Sequence, residues 1–225
     1  MKKIVIGIDG PVCSGKGTLS VSLAKKLGIL YLYTGGMYRA LTLACIRAGI
    51  DLDNEEEVLK ILKASSIDLH IRAGETKLFL GEENISRKIF EPEISNQTPR
   101  VARHPKVREE MVARQQEIIK DQSAVIEGRD IASKVAPDAQ VKIYLTADIK
   151  ARVKRRLKQY EERGIQKTFQ EVLEETIERD RIDSERGASP LSIAKDAIVI
   201  DTTNDSIDDT LNKVLKILKE KGIYD

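Results

Sequence analysis

A glycine-rich segment between an apolar run and a helical pattern constrains the fold of this chain more than any other feature. Residues 10–18 read Gly-Pro-Val-Cys-Ser-Gly-Lys-Gly-Thr and follow the apolar run Lys3–Ile8 almost directly. A buried strand that leads into Gly-x-x-x-x-Gly-Lys and then a helix directs backbone N–H groups and the positive end of the helix dipole at one point. Gly10 and Gly15 allow the tight backbone, and Lys16 can reach terminal phosphates. The segment therefore predicts a phosphate-binding loop.

The residue after the loop lysine departs from the strict pattern. In that pattern a Ser or Thr follows the lysine, and its hydroxyl contacts magnesium. Here Gly17 holds the position and Thr18 follows it. We therefore expect Mg²⁺ near Thr18, held mostly through water, with no firm direct ligand from the protein.

Short apolar runs separated by helical patterns predict a parallel sheet covered by helices. The expected strands are Lys3–Ile8, Ile29–Leu32, Ser123–Ile126, Val141–Leu145 and Ala197–Ile200. Ligands of such sheets bind at the carboxyl ends of the strands, which is also where the loop lies. The prediction is a three-layer α/β fold of the P-loop NTPase type with a five-stranded parallel sheet.

Local signals predict several further boundaries. Thr34 is a plausible cap for the helix that follows the second strand, and capping pairs open helices at Thr168 and Ser206. The segment Asp68–Asn84 predicts a β-hairpin whose turn carries Gly74.

Composition excludes several classes of protein. The chain has 225 residues, a size that can bury a sizeable core, and its 38 basic residues are nearly balanced by 36 acidic ones. A uniform field for nucleic acid is therefore not expected. The only cysteines, Cys13 and Cys45, are too few for a disulfide framework or a zinc site. Without a signal peptide or membrane span, the sequence predicts a soluble cytoplasmic protein.

Charged residues cluster at predicted strand ends and on predicted helix faces. Glu127-Gly128-Arg129-Asp130 follows the third strand, and Thr34-Gly35-Gly36-Met37-Tyr38-Arg39 follows the second. Helical spacing places two further sets each on one face: Arg152, Arg155 and Arg156, and then Arg179, Asp183 and Arg186. Most other charges on these helices are expected to be solvated surface.

This pattern of charges favours phosphoryl transfer. Such transfer needs positioning and neutralisation of negative charge, and the arginine fork suits phosphate oxygens. His70 and His104 lie outside every motif, so no histidine-based catalytic cluster is expected. An acceptor that is a phosphate monoester needs no general base, because its second pKa is about 6.

These motifs together resemble the bacterial cytidylate kinases, a branch of the nucleoside monophosphate kinases, from Met1 to about Leu218. The matching segments are Ile-Asp-Gly-Pro with Gly-Lys-Gly-Thr, Thr-Gly-x-Met-Tyr-Arg, Pro105-Lys106-Val107-Arg108, Gly128-Arg129-Asp130-Ile131, and Glu178-Arg179-Asp180 through Arg186. The resemblance implies transfer of the γ-phosphate of ATP to CMP or dCMP with Mg²⁺. It also implies a core of residues 1–33, 102–151 and 190–225, an NMP-binding insertion at 34–101 and a helical lid at 152–189. Gly17 fits, because Gly-Lys-Gly-Thr is usual in this family.

The resemblance assigns roles to individual residues. ATP is expected at Gly10, Pro11, Val12, Cys13, Ser14, Gly15, Lys16, Gly17, Thr18, Arg152, Arg155 and Arg156. The acceptor is expected at Thr34, Tyr38, Arg39, Arg108, Arg129, Asp130, Arg179, Asp183 and Arg186. Within these sets, the expected catalytic residues are Lys16, Arg129, Arg179 and Arg186. Asp130 and Arg108 would read the cytosine edge, where an acid can accept from the amine that uracil lacks. The resemblance also favours a monomer.

The sequence departs from the family pattern at Tyr33, Pro99, Gln116 and Ala132, where the family usually has Asp, Ser, Arg and Gly. These departures bear on the preference for CMP over UMP more than on kinase activity. Two alternatives stay open. One is a P-loop kinase of another small acceptor, such as UMP, AMP or a non-nucleotide, and the other is a non-enzymatic nucleotide-binding switch.

Overall fold

A parallel sheet forms the centre of the chain in the computed structural model, which describes residues 3–72 and 75–224. In chain order the strands and α-helices are β1 (Val5–Asp9), α1 (Lys16–Leu27), β2 (Leu30–Tyr33), α2 (Thr34–Ala48), α3 (Glu55–Ala64), β3 (Ile67–Arg72), β4 (Glu75–Leu80), β5 (Glu83–Asn84), α4 (Pro92–Ala102), α5 (Pro105–Ile119), β6 (Ala124–Glu127), β7 (Val141–Thr146), α6 (Ile149–Glu161), α7 (Phe169–Glu185), β8 (Ile198–Asp201) and α8 (Ile207–Glu220). A 3-10 turn at Lys88–Phe90 and a π-helical turn at Ile131–Val135 complete the described structure.

The five predicted strands form one parallel sheet in the order β2-β6-β1-β7-β8. In the register of the sheet, Glu127 at the end of β6 lies beside Ile8 of β1 and Tyr33 of β2. Because parallel strands end at one edge, Asp9, Tyr33 and Glu127 lie together there, directly before the segments that carry the predicted motifs. The predicted fold class is confirmed.

Apolar side chains cover both faces of the sheet. On one face Ile6, Ile8 and Val125 pack with residues of α1 and α8. On the other face, Leu32 and Ile126 belong to a cluster that continues into α2, α3 and α5. Strand residues alternate between the two clusters, as the period of a β-strand requires. The result is three layers, with the sheet in the middle.

The predicted hairpin is the first part of a second, antiparallel sheet of β3, β4 and β5. Ile67 pairs with Leu80 at one end and Arg72 with Glu75 at the other. The turn at Gly74 lies outside the described residues.

The capping boxes predicted at Thr168 and Ser206 are both present. The expectation that Thr34 caps α2 is wrong. Tyr33 is the N-cap residue and makes no side-chain cap, because α2 already begins at Thr34. The Thr34 hydroxyl donates instead to the Glu127 carbonyl at 2.7 Å and ties α2 to the end of β6. Among the described helices, none is long and apolar enough to cross a membrane.

Candidate active site

The loop between β1 and α1 has the backbone of an anion-binding site. Gly10 has φ +148°, and a Cβ there would lie 2.1 Å from the Leu145 carbonyl oxygen, so no other residue fits. Cys13 adopts the left-handed region at φ 58°, and Gly15 follows at φ 96° as the N-cap of α1. Among the residues that the structure describes, no side chain caps this helix. The first N–H groups of α1 are therefore available to a ligand.

Lys16 is folded back onto this loop. Its ammonium group donates to the Pro11 carbonyl at 2.6 Å and lies 3.4 Å from the Ser14 hydroxyl. Burial and the nearby guanidinium of Arg129 lower the pKa of Lys16 to about 7. The ammonium group is thus held against the loop, and an approaching anion would favour its charged form.

Gly17 makes room for the carboxylate of Glu127. A Cβ at position 17 would lie 3.2 Å from Glu127 Oε1, which is tighter than ordinary contact. The Tyr31 hydroxyl donates to the same oxygen at 2.5 Å. Glu127 was not a candidate site residue in the sequence, although its position after a buried strand and beside Arg129 was the signal that could have found it.

A cleft of about 540 Å³ opens at the ends of β2 and β6 and is closed by α4 and α7. Every residue expected at the acceptor lines it: Thr34, Tyr38, Arg39, Arg108, Arg129, Asp130, Arg179, Asp183 and Arg186. Arg186 does so from just beyond α7, since it is the C-cap residue and not part of the helix.

The deep end of this acceptor cleft is a buried network of charges. Arg108 donates to Asp130 at 2.5 Å, with 4% and 7% of their side chains exposed. The Arg186 guanidinium lies 3.8 Å from the other Asp130 oxygen. Within the described part of the chain, three buried groups there have no hydrogen-bond partner: the Tyr38 hydroxyl, Arg108 Nε and one Arg186 nitrogen. Buried polar groups are normally satisfied, so these donors are free for a polar ligand.

Asp183 organises the arginines nearer the loop. It accepts from Arg129 Nε at 2.7 Å and from Arg179 Nε at 3.4 Å. Burial works against its charge, but Arg129 and Arg179 outweigh burial and lower the pKa of Asp183 to about 2. Arg179 experiences the opposite balance, because burial and the neighbouring Arg129 lower its pKa.

Arg39 is held from the other side of the cleft. It donates to the Ile89 carbonyl at 3.0 Å and to the Ser95 hydroxyl at 2.5 Å. Its guanidinium also lies 5.5 Å from the centre of the Phe90 ring. Ser95 was not a candidate, and nothing in its local sequence indicates the contact, because Arg39 and Ser95 are 56 positions apart.

A second cleft, of about 690 Å³, contains Lys16 and the amino end of α1. It meets the acceptor cleft at a boundary whose residues line both: Val12, Tyr33, Arg39, Ser95, Glu127, Arg129 and Arg156. Three of these residues are arginines. If an anionic ligand occupied each cleft, the negative groups of the two ligands would therefore meet between these guanidinium groups.

The predicted lid arginines reach the loop in different ways. Arg152 donates to the Val12 carbonyl at 3.2 Å and Arg155 to the Cys13 carbonyl at 3.5 Å. Arg156 contacts no loop carbonyl in the described contacts and lies over the Tyr160 ring at 4.6 Å, at the boundary of the two clefts. Thr202 was not among the expected site residues; its hydroxyl accepts from Arg155 Nη1 at 3.0 Å and donates to the Ser14 carbonyl at 3.1 Å.

The departures from the family pattern have distinct positions. Tyr33 and Pro99 line the acceptor cleft, and Tyr33 also lines the second. Thr98, the residue before Pro99, also lines the acceptor cleft, but its hydroxyl donates to the Ile94 carbonyl at 2.7 Å. Gln116 instead donates to the Lys134 carbonyl, and the Ala132 N–H donates to Asp9.

The described residues contain no group of three or more side chains of the kind that cages a metal. Thr18 and Glu127 line the second cleft together with Lys16. Mg²⁺ is typically held by one or two carboxylates, water and substrate phosphates, without a cage made only of protein. One carboxylate and one hydroxyl beside a phosphate-binding loop fit that mode.

Comparison with known proteins gives a consistent result. The family model for cytidylate kinase matches residues 6–220. The chain is 42% identical over 220 residues to a cytidylate kinase of Anoxybacillus flavithermus, covering 98% of each. It is 43% identical over 214 residues to one of Bacillus pumilus, covering 95% of each. Among solved structures, an uncharacterized protein from Eubacterium ventriosum shares the fold, with a TM-score of 0.53, 15% identity, and coverage of 97% of this chain and 99% of that one.

Proposed function

We propose that this chain, which belongs to the cytidylate kinase family, transfers the γ-phosphate of ATP to CMP or dCMP and releases ADP with CDP or dCDP. The observation that carries the proposal is the boundary between the two clefts, where Arg39, Arg129 and Arg156 line both. A triphosphate on the loop and a monophosphate in the acceptor cleft would meet there.

The loop and the lid supply the donor half. Uncapped N–H groups of α1 and the ammonium of Lys16 would bind the terminal phosphates. Arg152 and Arg155, which already contact the loop, would add positive charge around the triphosphate.

The buried network supplies the acceptor half. Asp130 can accept from the exocyclic amine of cytosine, while the ion pairs with Arg108 and Arg186 hold its carboxylate in place. Uracil offers a carbonyl at the same place, which would face a carboxylate. Arg39 and Arg129 line the acceptor cleft nearer the boundary and would bind the acceptor phosphate.

In the reaction, an oxygen of the acceptor phosphate attacks the γ-phosphorus while the bond from that phosphorus to the β,γ-bridging oxygen breaks. No general base is needed, because the acceptor phosphate is already ionised at pH 7. Lys16, Arg129, Arg179 and Arg186 neutralise the charge that spreads over the transferring group. Closure of α6 and α7 would keep water away from that group.

Thr18 and Glu127 are the residues that would hold Mg²⁺ together with the ATP phosphates. When bound, the ion would neutralise part of the triphosphate charge.

The functional unit we propose is a monomer, as the resemblance to the cytidylate kinases implies. Cys13 and Cys45 are both free, which suits a reducing compartment such as the cytoplasm.

The test is a coupled assay of ADP release with ATP and Mg²⁺, run with CMP, dCMP, UMP or AMP and without an acceptor. We expect release with CMP and dCMP well above the rate without acceptor, and much slower release with UMP and AMP. Release with UMP or AMP alone would favour the kinase of another acceptor. If no acceptor raises ADP release, the kinase proposal fails and the nucleotide-binding switch remains.

A further inference from the structure

Helix α7 carries two acidic residues that face different halves of the site. Asp183 lines the acceptor cleft and pairs with Arg129. Asp180, three residues earlier, is directed instead at the phosphate-binding loop, where it contacts Val12 and Arg152. Asp180 has no role in the proposed reaction and is not among the expected site residues.

The three residues form a closed set of contacts. Asp180 Oδ1 accepts from the Val12 N–H at 3.3 Å, and Asp180 Oδ2 accepts from Arg152 Nη1 at 2.6 Å. The same Arg152 nitrogen donates to the Val12 carbonyl at 3.2 Å. Both polar groups of the Val12 backbone are therefore held by one ion pair from the lid helices.

Arg152 depends on this carboxylate. Only 7% of the arginine is exposed, and its other described hydrogen bonds go to the uncharged carbonyls of Val12 and Ala147. Among the described ion pairs, Asp180 is its one acidic partner. A buried guanidinium without a counter-charge tends to move toward water or toward another anion.

The phosphate-binding loop also depends on the Asp180 carboxylate. Cys13, next to Val12, is one of the described non-glycine residues with positive φ, a conformation that must be held by its surroundings. Contacts to both the N–H and the carbonyl of Val12 fix the peptide units that lead into this turn.

We propose that Asp180 is a positioning residue of the donor site, which fixes Arg152 and the Val12 segment of the loop in the arrangement that binds the ATP phosphates. The inference rests on the proposed function for the identity of the donor. Asp183 pairs with Arg129 and Asp180 pairs with Arg152. Helix α7 then holds one arginine on each side of the point of transfer.

The experiment measures ATP binding by calorimetry in the absence of an acceptor, and CMP binding separately. The variants are Asp180→Ala, Asp180→Asn, Arg152→Ala and the double variant of Asp180→Ala with Arg152→Ala. The matched control is Glu185→Gln, which removes an exposed carboxylate of the same helix from its pair with Arg181. We expect Asp180→Ala to weaken ATP binding roughly ten- to a hundredfold, the usual range for loss of one charge-assisted hydrogen-bond partner. Asp180→Asn, which keeps an acceptor oxygen, should lie between it and the wild type.

A coupling measurement separates positioning from general support of the fold. Because Asp180 acts in part through Arg152, the double variant should bind ATP more tightly than the product of the two single effects predicts. CMP affinity should change less than about twofold in Asp180→Ala. Glu185→Gln should bind ATP like the wild type.

The proposal is overturned if Asp180→Ala binds ATP within twofold of the wild type, if CMP binding falls equally, or if the two single effects multiply in the double variant. If Asp180→Ala shows no cooperative thermal unfolding, the same criteria are applied to Asp180→Asn and to the double variant of Asp180→Asn with Arg152→Ala. Wild-type chain that binds ATP but does not phosphorylate CMP would contradict the proposed function and leave the binding test of Asp180 intact. A wild type that binds no ATP would overturn both.

Discussion

The buried ammonium group of Lys16 makes ATP binding depend on pH in a way that can be calculated. Burial and Arg129 lower its pKa to about 7 in the free chain. The lysine of the free chain is therefore mostly neutral at pH 8 and mostly charged at pH 6. Phosphate oxygens favour the charged form, so ATP binding should take up a proton at pH 8 and much less at pH 6.

Calorimetry in Tris and HEPES measures this uptake, because the observed enthalpy varies with the ionisation enthalpy of the buffer in proportion to the protons bound. Lys16→Met is the control, since any uptake that it retains comes from other groups. The difference between wild type and control at pH 8 is the predicted quantity. No difference at pH 8, or one that does not shrink toward pH 6, would refute the assignment of Lys16 as the buried phosphate-binding cation.

The buried ammonium group of Lys16 also affects the stability of the chain in the absence of a ligand. The folded pKa lies below the ordinary value of 10.5, so between about pH 7 and 10.5 the unfolded chain holds a proton that the folded chain has released. The free energy of unfolding should therefore rise with pH in this window, by up to about 1.4 kcal/mol per pH unit from this group. Denaturant unfolding of wild type and Lys16→Met across the window gives the contribution, and equal slopes for the two proteins would contradict it.

Three further variants test other parts of the site. Asp130→Ala should raise the KM for CMP by about 5- to 150-fold, equivalent to ~1–3 kcal/mol for one base contact, and leave ATP affinity unchanged; unchanged steady-state kinetics with CMP would remove Asp130 and its partner Arg108 from the base site. Gly10→Ala should abolish ATP binding and lower Tm, because its Cβ would lie 2.1 Å from the Leu145 carbonyl oxygen; normal calorimetric binding and Tm would show that the loop is less constrained than described. Arg129→Met should lower kcat roughly a hundredfold or more, since it lines both clefts; a change in KM alone would place it outside the transfer step.

Much of the site could be predicted from the sequence because its residues occur in short motifs. The loop, the residues after the strands that end at Tyr33 and Glu127, and the spacing from Arg179 to Arg186 each point to one sheet edge. The parallel sheet then brings them together without further information. Every residue expected at the acceptor consequently lines one cleft.

The contacts that the sequence did not indicate join distant segments of the chain. Thr202 meets the Ser14 carbonyl across 188 positions, and Asp180 meets the Val12 N–H across 168. Neither lies in a pattern with its partner. The expected cap at Thr34 failed for a different reason, because α2 already begins at Thr34 and Tyr33 is its N-cap residue.

Direct detection of the product is the measurement that tests the central proposal. The chain is incubated with Mg²⁺, CMP and ATP labelled in its γ-phosphate, and the nucleotides are separated by chromatography. The two-cleft arrangement predicts that the label appears in CDP, in an amount equal to the ADP formed, and that Lys16→Ala loses this transfer while still binding CMP. Label that stays in ATP, or that appears only as inorganic phosphate, would contradict transfer between the two clefts.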